Sequence, residues 1–278
     1  MRFSIITPSY RSGRWLKQCI PSVADQAGVE FEHIVQDSCS DDETREWLPG
    51  DARVTAVIEK DTGMYDAVNR GFRRATGDIL AYINCDEQYL PGALQKVADY
   101  FERHPEVDVL LGDCIVVNPK GEYLCERRSL IPQLFHTQVG TTLSFLTAAL
   151  FLRRRVLEQH QLYFDTRWRD LGDADWALRA IRAGIRFGIL GEFTSAFTDT
   201  GENMNLLPNA RRESREMRQA APAWVRATAR LWVIHYRLRR FFAGHYSCKP
   251  HDYAIYTPES LDQRQSFHVA NPTYRWVR

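Results

Sequence analysis

The chain has 278 residues, 44% of them hydrophobic and 12% aromatic, enough for one large α/β domain with a well-buried core and an appendage. A net charge of +1 excludes a global attraction to nucleic acid, so no nucleic-acid partner is expected and any electrostatic signal must be local. The six cysteines (Cys19, Cys39, Cys85, Cys114, Cys125 and Cys248) are scattered without a Cys-x-x-Cys pair, which argues against a disulfide frame or a zinc site and for free thiols in a reducing compartment.

The first six residues lack the long apolar run of a signal peptide, and no stretch reaches ~18 uncharged apolar residues. The expected location is the cytoplasm, with room for a peripheral site on the inner face of the plasma membrane.

Residues 3–7 read as a short apolar strand, broken by the loop Pro8-Ser9-Tyr10-Arg11-Ser12-Gly13. Helical spacing follows at Trp15, Leu16, Cys19, Ile20 and Val23, with Pro21 expected to kink it. A second strand, 31–36, runs into the acid-rich loop that starts at Asp37. A third, 54–58, ends in Glu59-Lys60-Asp61-Thr62-Gly63 and is followed by a helix over 64–75. The run Ile79-Leu80-Ala81-Tyr82-Ile83 has the near-continuous apolarity of a strand buried on both faces. It stops at two adjacent acids, Asp86 and Glu87. Such a pair is either a solvated turn or the seat of a hard cation with oxygen ligands. A helix is expected over about 91–103.

Strand–helix units thus repeat through the first hundred residues, and each strand ends in polar or acidic residues. That is the pattern of a doubly wound sheet with a ligand site along its carboxyl edge. Neither Gly-x-Gly-x-x-Gly after the first strand nor Gly-x-x-x-x-Gly-Lys-Ser/Thr occurs, which argues against a dinucleotide enzyme or a P-loop enzyme.

Further on, 107–111 and 114–117 read as two strands with a turn near Asn118-Pro119-Lys120-Gly121, and 131–147 is ambiguous. Residues 148–152 are apolar. Gly172-Asp173-Ala174-Asp175 opens a helix that Gly184 stops, and Asp173 reads there as a cap or as a catalytic acid. Residues 187–190 are read as the last strand.

At these loops the sequence resembles the family 2 inverting glycosyltransferases of the GT-A fold, of the type that builds bacterial surface polysaccharides. The resemblance runs over roughly residues 1–205 and rests on several motifs in order. Ile5-Ile6-Thr7-Pro8-Ser9-Tyr10 looks like the opening strand and nucleotide loop. Asp37-Ser38-Cys39-Ser40-Asp41-Asp42-Glu43-Thr44 looks like the segment D-G-x-S-x-D-G-T, with Ser38 and Glu43 in place of its glycines. Residues 61–71 are similar to a donor-side segment of such members. Asn84-Cys85-Asp86-Glu87 stands at the metal motif D-x-D, and Gly172-Asp173 at the base motif E-D. Asn84, Glu87 and Gly172 depart from those patterns.

The resemblance implies a mostly parallel α/β sheet flanked by helices over 1–205, with a helical C-terminal extension and tail over 206–278. It implies metal-dependent transfer of a sugar, with inversion, from a nucleotide diphosphate donor (UDP expected) to a hydroxyl of a glycan or lipid-linked glycan. Asp86 and Glu87 would hold Mn²⁺ or Mg²⁺, and Asp173 would be the general base, with Asp175 its rival. Thr7, Pro8, Tyr10, Asp37, Asp61, Asp66, Asn69 and Asp86 would bind the donor. A nucleotidyltransferase and a non-catalytic sugar-nucleotide or glycan-binding module are the competing readings; Asn84 and Gly172 keep the second open.

The last third changes character. A charged helix over 210–219 precedes Pro222 and a second helix over 223–243. On a wheel Arg226, Arg230, Arg237 and Arg240 share a stripe, opposite Trp224, Leu231, Leu238 and Phe242. Such a basic amphipathic helix suits an anionic membrane surface, or equally an apolar face packed on the domain. Residues 248–278 carry no usable motif.

Overall fold

The computed structural model describes residues 1–140, 143–201 and 208–276. The chain builds one sheet in which β1 (Arg2–Ser9), β2 (Glu30–Asp37), β3 (Thr55–Ile58) and β4 (Ile79–Tyr82) run parallel. The strand order is β3-β2-β1-β4-β8-β6-β9-β5, with β7 paired to β6. Here β5 is Glu87–Tyr89, β6 Val109–Val117, β7 Tyr123–Arg127, β8 Leu150–Arg153 and β9 Phe187–Thr198. β8 is antiparallel to β4 and β6, while β6 and β9 are parallel to each other. The sheet is therefore mixed: the expected parallel pairing holds for β1 to β4 and for β6 with β9, while β5, β7 and β8 pair antiparallel to their neighbours. Register decides where the loops go: Ser9 lies opposite Asp37, and Asp37 opposite Ile58. The loops after β1, β2, β3 and β4 all leave the same carboxyl edge, where open α/β sheets bind ligands.

Helices cover both faces. On one side α1 (Gly13–Ala24) and α4 (Ala93–Arg103) pack on the sheet. On the other lie α3 (Met64–Arg74), α6 (Arg155–His160) and α7 (Gly172–Arg182). The short helices α2 (Thr44–Trp47) and α5 (Leu134–Val139) fill connections. β4 shows why its sequence is apolar throughout. Ile79, Ala81 and Ile83 point into the first layer, and Leu80 and Tyr82 into the second, each at most 1% exposed. A period-2 backbone with helices on both sides leaves no wet face. Ile79, Leu80 and Ile83 each contribute about 1.5–3 kcal/mol of hydrophobic stabilisation.

Several sequence expectations are corrected. The two strands expected over 107–111 and 114–117 are one continuous β6, because Gly112 keeps an extended backbone and close packing on Thr194. The strand expected to end at 190 runs on to Thr198 and is not the last. The ambiguous stretch contains α5; residues 141–142 lie outside the described residues. So does 202–207, which holds the expected boundary at 205/206. Beyond it come α8 (Pro208–Gln219), α9 (Ala223–Ala227) and α10 (Ala229–Phe242). The single helix expected over 223–243 is divided at Thr228, whose hydroxyl bonds the Trp224 carbonyl.

The tail is not helical. β10 (His251–Thr257) and β11 (Ser260–Val269) form a hairpin. Tyr253, Ile255 and Val269 of that hairpin bury against Ile115, Val117 and Ala196 of the sheet. Arg264 clamps it: its guanidinium holds both oxygens of Asp25 at 2.6 and 2.7 Å and donates to the carbonyls of Tyr89, Ala254 and Ser22. The side chain is only 10% exposed. Removing it takes a donor from three carbonyls and the cation from Asp25, which keeps the Tyr256 hydroxyl, while the Ser22 carbonyl keeps the Gln26 amide. Arg264→Ala should cost about 2–4 kcal/mol of unfolding free energy in a denaturant titration. An unchanged midpoint would mean the hairpin rests on its apolar contacts alone.

Candidate active site

The carboxyl-edge loops enclose a cavity of about 780 Å³, a size that suits a ligand of nucleotide-sugar dimensions. Its wall includes Pro8, Ser9 and Tyr10 after β1, Ser38 after β2, Lys60 to Met64 after β3, and Asn84 to Glu87 after β4. Arg169, Asp170 and Asp173 close one side, and Phe197, Thr200 and Trp276 another.

The acids after β4 are fixed by a tight turn. The Glu87 N–H donates to the Asn84 carbonyl at 3.1 Å, and the Asn84 N–H donates to Glu87 Oε2 at 2.8 Å. Cys85 Sγ donates to the Pro8 carbonyl, tying the turn to the β1 loop. Asp86 is the residue this turn leaves facing the cavity. Glu87 is 1% exposed and folds one oxygen back on the turn. Burial pushes both carboxyls above their usual range, and the negative charge of Asp86 pushes Glu87 further. No ion pair to either acid occurs among the described residues, and these contain no group of three or more His, Cys, Asp or Glu arranged to hold a metal. The pair nevertheless fits a Mn²⁺ or Mg²⁺ ion of the kind held by one or two carboxylates and completed by substrate phosphates.

Asp173 stands across the cavity at the first turn of α7. Its N–H donates to the Tyr65 hydroxyl at 3.2 Å, and its Oδ1 accepts from the Ala174 N–H at 2.7 Å. Part of the residue faces the cleft, yet burial among protein atoms pushes its carboxyl up to about 6, outweighing the backbone donor that pulls it down, and Glu213 adds to the rise. A helix N-terminus favours the ionised carboxylate and lowers its basicity, and burial here works in the opposite direction. Asp175, the rival, is held by Arg179 at 2.7 Å on α7 and is not on the cavity wall.

Gly172 has a steric reason. A Cβ there would lie 2.5 Å from the Tyr65 ring, so the larger residue common at this position is excluded by the tyrosine that supports Asp173. Gly63 sits at φ +135°, and a Cβ there would approach the Arg169 guanidinium, which donates to the Thr62 carbonyl at 2.7 Å. Arg169 so bridges the loop before α7 to the loop after β3.

The predicted donor residues divide in two. Pro8, Tyr10, Asp61 and Asp86 are on the wall. Tyr10 is 47% exposed, with Lys60 and Arg11 cations 4.9 and 5.1 Å from its ring centre. Asp61 accepts from the Gly63 N–H. Thr7, Asp37, Asp66 and Asn69 are not on the wall, and each has a structural occupation. Thr7 pairs with His33 Nε2 and is fully buried. Asp37 is fully buried and accepts from Ser9 Oγ, Ser40 Oγ and the Ser40 N–H, so it braces the loops beneath the cavity. Asp66 caps the start of α3 through the Thr62 N–H and hydroxyl. The Asn69 amide is spent at both ends on the Phe164 backbone.

Four residues of the site were missed in the sequence. Tyr65 lies inside the 61–71 segment, where only the polar neighbours Asp61, Asp66 and Asn69 were singled out, and Arg169 had no motif around it. Glu213, on α8 and 1% exposed, accepts from the backbone N–H groups of Arg169, Asp170 and Leu171 and so shapes the loop that delivers Asp173. Trp276 comes from the tail: its ring packs on Phe197 at 5.5 Å and its indole N–H donates to Asp199. Phe197 is the β9 partner of Glu87, so the tail ends beside the acidic turn. Only the isolation of Trp276 in a motif-free tail could have flagged it.

The model of Glycosyl transferase family 2 matches residues 4–161. The chain belongs to this family. It is 34% identical over 120 residues to a PGL/p-HBAD biosynthesis glycosyltransferase of Mycobacterium bovis, covering 41% of this chain and 47% of that protein. It is 24% identical over 216 residues to the poly(ribitol-phosphate) beta-N-acetylglucosaminyltransferase TarS of Staphylococcus aureus, covering 74% of this chain and 37% of TarS. An uncharacterized glycosyltransferase of Nostoc sp. matches at 25% over 185 residues, 62% of this chain and 57% of the relative. The chain thus spans about half the length of these curated relatives. In three dimensions it resembles S. aureus TarS 1-349 in complex with UDP-GlcNAc, with a TM-score of 0.63, 21% identity, and coverage of 87% of this chain and 73% of that one. It also resembles a mannosyltransferase of Pyrobaculum calidifontis in complex with GDP-Man and Mn²⁺, with a TM-score of 0.55, 15% identity, and coverage of 88% and 81%. These likenesses establish the GT-A arrangement, and family membership sets aside the nucleotidyltransferase reading.

Gly172→Ala should force Tyr65 or the start of α7 to move, at a cost of about 1–3 kcal/mol. Tyr65→Phe, which keeps the ring and loses the hydroxyl acceptor, should be milder in a thermal melt. Equal stability of Gly172→Ala and the parent chain would show that the contact yields freely.

Proposed function

We propose that this chain is a metal-dependent inverting glycosyltransferase, moving a sugar from a nucleotide diphosphate donor, with UDP preferred, to a hydroxyl of a glycan or lipid-linked glycan. The observation that carries it is that one cavity is lined both by Asp173 and by the Asp86–Glu87 turn. Single-displacement inversion needs one base on the acceptor side and charge stabilisation on the leaving-group side. Support for the donor comes from the fold likeness to TarS, a protein whose structure holds UDP-GlcNAc.

The nucleoside lies along Pro8, Tyr10, Ser38 and Asp61. Tyr10 offers the base an exposed ring, and Asp37 keeps that loop in shape from below. Lys60, Arg14 and Arg169 supply cations around the diphosphate. When bound, a divalent cation on Asp86 and Glu87 neutralises charge growing on the departing diphosphate. The acceptor oxygen attacks the anomeric carbon as Asp173 takes its proton. The bond from that carbon to the diphosphate breaks, and the nucleoside diphosphate leaves with the electron pair. Phe197 and Trp276 give the cavity an aromatic wall beside the acidic turn, suited to the face of a sugar ring.

Asp173→Asn should lower transfer by at least about a hundredfold while donor binding, read by thermal shift, stays within about twofold. A base works only as a carboxylate. With its carboxyl raised to about 6, kcat/KM in the parent chain should fall one decade per pH unit below about 6 and level off above it. Full turnover by Asp173→Asn, or a profile flat to pH 5, removes Asp173 from the chemistry.

A further inference from the structure

The sheet domain leaves one large apolar surface uncovered, and it belongs to α10. Leu231, Ile234, Leu238 and Phe241 fall at i, i+3, i+7 and i+10, and Phe242 borders them. All five are exposed, Phe242 at 82%. The orientation is fixed from behind. Trp232 packs on Phe135 at 4.9 Å, His235 Nδ1 meets His136 Nε2 at 2.9 Å, and Arg239 donates to the Ile131 carbonyl. The helix is therefore held by α5 with its apolar stripe turned outward. This reverses one sequence alternative, in which the stripe packs on the domain. Contiguous large side chains in water mark an interaction site.

Charge says what covers it. Residues 208–243 hold nine arginines against two glutamates, while the whole chain carries only +1, so the rest is net acidic. Arg230 and Arg237 flank the stripe, both exposed and with no ion pair among the described residues. A second copy of the chain would press these arginines against their own kind, which opposes a symmetric dimer. An anionic lipid surface satisfies both halves: the stripe enters the headgroup boundary and the arginines meet phosphate.

We propose that the outward face of α10 docks this protein on an anionic bilayer surface. The helix is too short and too charged to span, and no described helix is long and apolar enough to cross a membrane. The contact is peripheral and salt-sensitive. It deepens the reading above by placing the catalytic cavity beside a lipid-linked acceptor, but it stands on the helix itself.

The test is co-sedimentation of the full chain with vesicles of phosphatidylglycerol and phosphatidylcholine, against vesicles of phosphatidylcholine alone, at low and high salt. The parent chain should pellet with the anionic vesicles at low salt and be largely released at high salt. Phe241→Ser with Phe242→Ser should weaken binding by about tenfold or more. Arg230→Ala with Arg237→Ala should weaken it by roughly twentyfold and flatten the salt dependence. Leu238→Gln gives the same test if circular dichroism shows the double phenylalanine change unfolding the helix. Donor binding, read separately, should be unchanged in every variant; its absence would undermine the proposed function and leave the docking result standing. A parent chain that stays in the supernatant at low salt, or variants that bind as it does, overturns the proposal. So does a dimer in sedimentation velocity that Phe241→Ser breaks, because a second copy then owns the face.

Discussion

Two carboxylates are held side by side at the end of a strand that is buried on both faces, and the rest of the cleft answers that arrangement. β4 has no freedom to turn: Leu80 and Tyr82 are locked into one helical layer, Ile79, Ala81 and Ile83 into the other. The chain therefore leaves the sheet at a fixed place, and the Asn84–Glu87 hydrogen bonds close it into a turn. Burial makes both charges costly there. Uncompensated buried charge is among the most destabilising features a fold can keep. A cation bound between them would offset that cost, which ties the burial of the pair to the ligand chemistry proposed for it.

The side of the cleft that carries the proposed base is built in a different way. Asp173 has no strand behind it. It is placed by a relay of contacts: Tyr65 from α3 meets its backbone, Gly172 gives the tyrosine room, and Glu213 from α8 gathers the three preceding N–H groups. The C-terminal third is thus part of the machinery. It shapes the base loop through Glu213, ends beside the acidic turn through Trp276, and is bolted to α1 and β5 through Arg264.

What could be read in the sequence follows from the range of the interactions. The parallel strands, their helices and the loops that rim the cavity are written in local periodicity and in short motifs, and the resemblance to family 2 rested on those. The donor residues divide for the same reason. Pro8, Tyr10, Asp61 and Asp86 sit on loops that face outward from strand ends. Thr7, Asp37, Asp66 and Asn69 share those motifs but spend their polar atoms on His33, Ser40, Thr62 and Phe164. A motif marks both the residues that touch a ligand and those that hold the loop, and only tertiary contacts part them. The hairpin of β10 and β11 escaped because its apolar partners Ile115, Val117 and Ala196 lie far upstream in the chain. Glu213 and Trp276 also act on partners well outside their own elements, on the loop before α7 and on β9. The direction of the α10 stripe depended on which side α5 would take, and periodicity does not contain that.

The central claim is that the acidic turn seats a divalent cation together with the donor diphosphate. The most direct measurement is thermal shift of the full chain with UDP-GlcNAc and related sugar nucleotides, with and without Mn²⁺, on the parent chain and on Asp86→Asn. The account predicts that donor and Mn²⁺ together raise the melting temperature by more than the sum of their separate effects, and that Asp86→Asn abolishes that synergy. A donor shift of equal size without the ion, or one that survives Asp86→Asn intact, would contradict it.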